Sequence, residues 1–200
     1  KVLGVIGTGQ IGQHVIRIAK GFEMQVLAYD PHQDVAASQR HGSEYVSLDE
    51  LLARSDVISL HCPLTAETQH LIGKQAFKKM KKGVYLINTA RGGLIATEAL
   101  LRALDAGIIA GAGLDVLEEE EAVREERELL SGRFDGHKLR AVLRNHVLAK
   151  HERVIITPPH RLQQPRGGGA HSGDNIGKHL RLFGADTEQR GRPLKCDEDD

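Results

Sequence analysis

The apolar run Val2-Leu3-Gly4-Val5-Ile6 passes directly into Gly7-Thr8-Gly9-Gln10-Ile11-Gly12, after which Ile11, Val15, Ile18 and Ala19 recur at helical spacing up to Gly21. An unbroken apolar run is a strand covered on both faces, so the segment reads as strand, glycine turn, helix. The alternation continues. Gln25–Asp30, Val57–His61, Val84–Asn88, Ile108–Leu114 and Val154–Thr157 read as further strands, each with a helical pattern beside it. Ser47 and Glu50 have capping-box spacing and open a helix through Leu51 and Leu52, and Thr97 is expected to cap the helix that ends before Gly107. Strands separated by helices pair in parallel through right-handed crossovers. The expected fold is therefore α/β, a doubly wound parallel sheet over residues 1–158.

Composition agrees and narrows the function. A chain of 200 residues suits one main domain, and 40% hydrophobic with 4% aromatic content and no Trp implies a core of Val, Ile, Leu and Ala. Lys plus Arg and Asp plus Glu both total 27, so no basic face for nucleic acid or membrane is implied. No apolar run approaches the ~20 residues of a membrane-spanning helix, and no signal peptide is seen, so the expected location is cytoplasmic. Cys62 and Cys196 form no disulfide framework and sit in no metal-ligand spacing. The charge run over residues 118–129 is read as a solvated helix face. Residues 159–200 hold seven glycines, Pro159, Pro165 and Pro193, and few large apolar side chains. That composition does not offset ordering entropy, and the tail is expected to be irregular.

The glycine turn carries the first chemical signal. Gly7 permits a tight turn, Gly9 lets backbone approach a pyrophosphate, and Gly12 allows close packing of helix on strand, while the helix N-terminus offers free N–H groups to phosphate. Asp30 ends the second strand roughly twenty residues on, where its carboxylate can accept both ribose hydroxyls of NAD and would repel the 2′-phosphate of NADP. Pro31, His32 and Gln33 supply no Arg to reverse that choice. NAD is the expected cofactor.

Three other segments fall at strand C-termini, where open α/β sheets bind ligands. They are His61-Cys62-Pro63-Leu64-Thr65 with Thr68, Asn88-Thr89-Ala90-Arg91-Gly92-Gly93, and Leu114-Asp115-Val116. Pro63 and the small residues allow backbone to lie along a nucleotide and Asp115 can accept from a carboxamide, although loop packing explains them equally well. Arg91 offers a planar, permanently charged fork that clamps a carboxylate, with an ordinary surface Arg as the alternative. Glu120 and His160 could form a carboxylate–imidazole pair suited to carbonyl/alcohol interconversion. Spacing alone does not single out His160 among eleven histidines.

The set GTGQIG, YDP, SDVISLHCPLTAET, LINTARGGL and GLDVLEEE, in that order, resembles the D-isomer-specific 2-hydroxyacid dehydrogenases, nearest their D-lactate dehydrogenase-like branch, from Lys1 to about Pro158. The resemblance implies the Rossmann-like NAD-binding domain of an NAD-dependent oxidoreductase that reduces a 2-keto acid such as pyruvate to the D-2-hydroxy acid. It assigns substrate carboxylate and carbonyl to Arg91, the acid partner of the imidazole to Glu120, and proton donation to His160. It places Gln10 and Ile11 at the pyrophosphate, Asp30 at the adenine ribose, and Cys62, Pro63 and Thr68 along the nucleotide wall. Thr89 and Ala90 would line the nicotinamide, and Asp115 would take its carboxamide. Relatives of this kind commonly form homodimers, and some act as NAD-sensing corepressors without catalysis, which is the rival reading. A structural α/β interaction domain is the third.

Two departures from the family pattern stand out. The substrate-binding segment that precedes the cofactor domain in relatives is expected to be absent. After the last strand, Thr157-Pro158-Pro159-His160 is followed by Arg161-Leu162-Gln163-Gln164 where relatives continue into a helix. Back-translation of residues 159 onward, read one nucleotide later, permits HIAFNSREAVERILATTSENI, an amphipathic helix of family type. One inserted base is therefore expected to have put residues 159–200 out of frame, leaving His160 one position late.

Overall fold

A computed structural model describes residues 1–118 and 136–157, the side chains of residues 136–138 excepted. The seven strands of the sheet are β1 (Val2–Ile6), β2 (Gln25–Tyr29), β3 (Glu44–Tyr45), β4 (Val57–Leu60), β5 (Val84–Asn88), β6 (Ile109–Leu114) and β7 (Val154–Ile156), ordered β3-β2-β1-β4-β5-β6-β7. All pair in parallel. The helices are α1 (Gln10–Gly21), α2 (Val35–His41), α3 (Leu48–Arg54), α4 (Lys74–Lys79), α5 (Thr97–Asp105) and α6 (Gly136–Lys150), with a short 3-10 turn at Gly92–Leu94. The doubly wound α/β fold expected from the sequence is what forms.

Strand β1 shows why two layers of helix are needed. Its alternate residues face opposite sides. Leu3 and Val5 join Ile16 and Ala19 of α1 and Val26 in one buried cluster, while Ile6 joins Leu51, Leu52, Leu86, Leu100 and Leu104 in the other. At Gly4 a Cβ would lie 2.5 Å from Leu51 Cδ2, so α3 sits directly on the strand. Among the described residues no helix is long and apolar enough to cross a membrane.

The structure corrects several local expectations. Three strands close one residue short of their apolar runs, leaving Asp30, His61 and Thr157 in the loops, and β6 opens one residue late, after Ile108. His61 N–H still donates to Ile6 O at 2.7 Å and Thr157 N–H to Leu114 O at 3.0 Å, so these residues make the last bond of their ladders as the chain turns toward the next element. The edge strand β3 is an addition, and α2, α4 and α6 give bounds to helices that the alternation implies without locating. Ser47 caps α3 as expected, accepting from Glu50 N–H at 3.2 Å. Thr97 is not the cap of α5 but its first residue, and its N–H donates to the carboxylate of Glu118 at 3.0 Å. Glu118 is therefore not part of a solvated face: its side chain is only 13% exposed. The rest of that charge run and the 159–200 tail lie outside the described residues.

Candidate functional site

The sheet order reverses between β1 and β4, since β2 and β3 lie on one side of β1 while β4 to β7 lie on the other. At such a switch point the loops leaving neighbouring strands diverge and open a crevice above the strand C-termini. Here the loops after β1, β2 and β4 enclose a cavity of about 430 Å³. Gly7, Asp30, Cys62, Pro63 and Thr68, all singled out from the sequence, line it together. His32 and Glu67 also line it, although neither is given a role from the sequence.

The three glycines of the turn differ in what surrounds them. Gly7 has φ +94°, and a Cβ there would lie 2.5 Å from Cys62 N. At Gly12 a Cβ would approach Gly7 O to 2.0 Å, so this residue lets α1 rest against the turn. Gly9 is different. A Cβ there meets no protein atom within 4 Å, and its φ of −63° suits any residue. It stands as N-cap of α1 with no side chain capping the helix, so first-turn amides at Gln10 and Ile11 face outward without an intrahelical acceptor. Ile11 in the same turn is 67% exposed. An uncapped helix end beside open space is a ready anion cradle.

Asp30 is held in place. Its Oδ2 accepts from Thr8 N–H at 2.7 Å and from the Thr8 hydroxyl at 3.1 Å, and its Oδ1 accepts from His32 N–H at 2.9 Å. The opposite wall is equally ordered: the Thr68 hydroxyl donates to Pro63 O at 2.7 Å and accepts from Thr65 N–H at 2.7 Å. Burial pushes the Cys62 thiol above its ordinary pKa, and the Asp30 charge adds to that. Burial alone lowers the pKa of His61, whose Nε2 lies 2.8 Å from Ser59 Oγ.

The second group of candidates sits at the ends of β5 and β6. Asn88 shapes the loop, donating from Nδ2 to Arg91 O at 2.9 Å and accepting from Ala90 N–H at 3.0 Å. Arg91 is exposed and folds one guanidinium N–H back onto Ala90 O at 2.6 Å. Thr89 and Ala90 precede it on the same rim. Asp115 follows β6, its backbone N–H donating to Asn88 O at 3.0 Å and its side chain accepting from the Thr157 hydroxyl. The loop after β6 presses on the arginine loop so closely that a Cβ at Gly92 would lie 1.9 Å from Leu117 O. Glu120 and His160 lie outside the described residues.

Sequence reasoning missed Thr8, which is buried, and Tyr45, whose hydroxyl is 2.8 Å from Thr8 Oγ1. It also missed His70, bonded to Glu118. Each of these is a contact between segments far apart in the chain.

The family model for the D-isomer specific 2-hydroxyacid dehydrogenase, NAD binding domain, matches residues 1–160. The chain belongs to this family, and its cofactor is NAD. It is 52% identical over 120 residues to a D-lactate dehydrogenase of Escherichia coli, covering 60% of this chain and 36% of that protein. It is 50% identical over 126 residues to a glyoxylate reductase of Thermococcus litoralis, covering 63% of this chain and 38% of the relative. Among solved structures, a D-lactate dehydrogenase from Aquifex aeolicus complexed with NAD and lactic acid superposes with a TM-score of 0.69 at 46% identity, covering 78% of this chain and 45% of the other. The chain thus spans between 36% and 45% of the length of these relatives. The open cradle at Gly9, the uncapped α1 and the acid at the tip of β2 fit the dinucleotide.

Proposed function

We propose that residues 1–158 are the cofactor half of an NAD-dependent oxidoreductase acting on D-2-hydroxy acids, with a small 2-keto acid such as pyruvate or glyoxylate as the oxidised partner. The observation that carries this reading is the cradle at Gly9. No neighbouring protein atom requires glycine there, and in this reading the open space beside the uncapped α1 N-terminus takes the pyrophosphate. In this reading the amides of Gln10 and Ile11 hold the pyrophosphate, Asp30 the adenine ribose, and Cys62, Pro63 and Thr68 flank the adenine side. Thr89, Ala90 and Asp115 lie where the nicotinamide would rest.

When bound, NAD supplies or takes the hydride. Arg91 releases Ala90 O and turns its fork to the substrate carboxylate, orienting the carbonyl and stabilising negative charge that develops on its oxygen. Asn88 keeps the arginine loop in place through both of its amide bonds. Glu120 and an imidazole following Pro158 would complete the proton path, with the carboxylate fixing the tautomer. Because His160 reads one position late, NAD binding with little turnover is the expected behaviour of this chain.

Calorimetric titration with NADH tests the binding half, and Asp30→Ala should weaken it at least about tenfold, the order of losing charge-assisted bonds to the ribose. NADH oxidation with pyruvate, glyoxylate and hydroxypyruvate tests the rest. Absence of NADH binding would overturn the reading, and robust turnover would overturn the expectation of impaired catalysis.

A further inference from the structure

Asp30 can only accept hydrogen bonds, so the single hydroxyl hydrogen of Thr8 points to its Oδ2 at 3.1 Å. Thr8 Oγ1 then has only lone pairs to offer Tyr45, and the Tyr45 hydroxyl donates to it at 2.8 Å. The Tyr45 oxygen in turn accepts from Asp34 N–H at 3.1 Å. The carboxylate at one end, which can only accept, and the Asp34 amide at the other, which can only donate, set the direction of every bond. The chain Asp34 N–H, Tyr45, Thr8, Asp30 links the start of α2 and the edge strand β3 to the rim of the cavity.

We propose that Thr8 and Tyr45 are positioning residues that enforce the choice of NAD over NADP by locking the Asp30 carboxylate, an inference that rests on the cofactor reading above. An aspartate free to rotate can swing away from a 2′-phosphate at the cost of a rotamer change. Here a swing would break two bonds from Thr8 and one from His32 N–H. With three acceptor sites filled, the carboxylate keeps about one open, so it takes one ribose hydroxyl rather than the two expected from the sequence, and that hydroxyl brings a donor. A 2′-phosphate brings acceptors alone and meets a negative charge that cannot retreat.

The test is titration of the full 200-residue chain with NADH and NADPH, comparing the ratio of the two dissociation constants. Thr8→Val, which removes the hydroxyl and keeps the branched shape, should narrow the preference for NADH by about tenfold, mainly by tightening NADPH. Tyr45→Phe should narrow it by about threefold, and Thr8→Ser should retain it. Because Tyr45 acts through Thr8, the double variant should go no further than Thr8→Val. A structural role would weaken both dinucleotides in parallel and leave the ratio intact; that result, in Tyr45→Phe as well as Thr8→Val, overturns the inference while leaving the cofactor reading standing. A wild-type chain that binds neither dinucleotide overturns both.

Discussion

His70 is bonded through Nε2 to Oε1 of Glu118, a residue 48 positions away, while the other oxygen of the same carboxylate accepts Thr97 N–H at 3.0 Å. One side chain thus ties the turn after β4, the start of α5 and the loop after β6. The amide of Asn145 in α6 adds a bond to Glu118 O at 2.8 Å. Burial pushes the Glu118 carboxyl up, but Thr97 and His70 together outweigh it and hold the group below its usual range. A depressed folded-state pKa means stabilisation that is present above the ordinary glutamate value and is lost as pH falls through the depressed one. Glu118→Gln should therefore cost about 1–2 kcal/mol at neutral pH, with the gap to wild type closing below about pH 4. Urea unfolding at two pH values checks it; a gap of equal size at both would exclude the charge as the cause.

Gly9 and Gly12 should respond in opposite ways to the same added methyl group. At Gly12 a Cβ meets Gly7 O at 2.0 Å, so Gly12→Ala forces backbone apart and should destabilise by about 1–3 kcal/mol. At Gly9 nothing lies within 4 Å, so Gly9→Ala should leave the unfolding midpoint within about 2 °C of wild type. Its effect should fall on NADH affinity, weakened by about tenfold or more where the methyl crowds the phosphates. A Gly9→Ala protein that binds NADH normally would show that the open space is not the cradle.

The glycine turn, the acid at the tip of β2 and the arginine loop were legible because each is a short segment whose chemistry is local. Gly7, Asp30, Cys62, Pro63 and Thr68 were each read from their own strand end, and parallel topology brought them to one cavity. What was hidden depends on distant partners. The Thr8 side chain is unremarkable in sequence, and only the return of β3 sets Tyr45 against it. Thr97 looked like a helix cap because capping residues are recognised from their immediate neighbours. The carboxylate that satisfies its N–H comes from Glu118, which sequence alone assigned to a solvated charge run. Strand β3 holds two residues, Glu44 and Tyr45, too few for any alternation to register.

Cys62 offers a chemical probe of the cavity. Burial, followed by the Asp30 charge, raises its thiol pKa, and the thiolate is the reactive form. Alkylation by iodoacetamide should be slow at pH 7 and should accelerate only above the ordinary thiol range. NADH in the cavity should slow it further. Mass spectrometry of the peptide carrying Cys62 reads this site separately from Cys196. Fast modification at pH 7, indifferent to NADH, would place the thiol outside the nucleotide wall.

The last prediction concerns residues 159–200 and is decided at the level of DNA. The described chain ends at Thr157, whose hydroxyl donates to the side chain of Asp115, and the family pattern continues from there as Pro then His. The written sequence has Pro159 there instead. A shifted frame that restores both the histidine and an amphipathic helix over about twenty residues requires many independent codons to agree, and periodic apolar spacing of that length seldom arises from an unselected frame. Sequencing codons 155–165 should reveal one extra base in the run encoding the prolines. Removing that base should yield a chain whose NADH affinity matches the present one, since the cradle and Asp30 are untouched. Its chain after Pro158 should gain measurable helix by circular dichroism. A coding sequence whose shifted frame lacks that helix would end the idea and leave residues 159–200 as the protein's own.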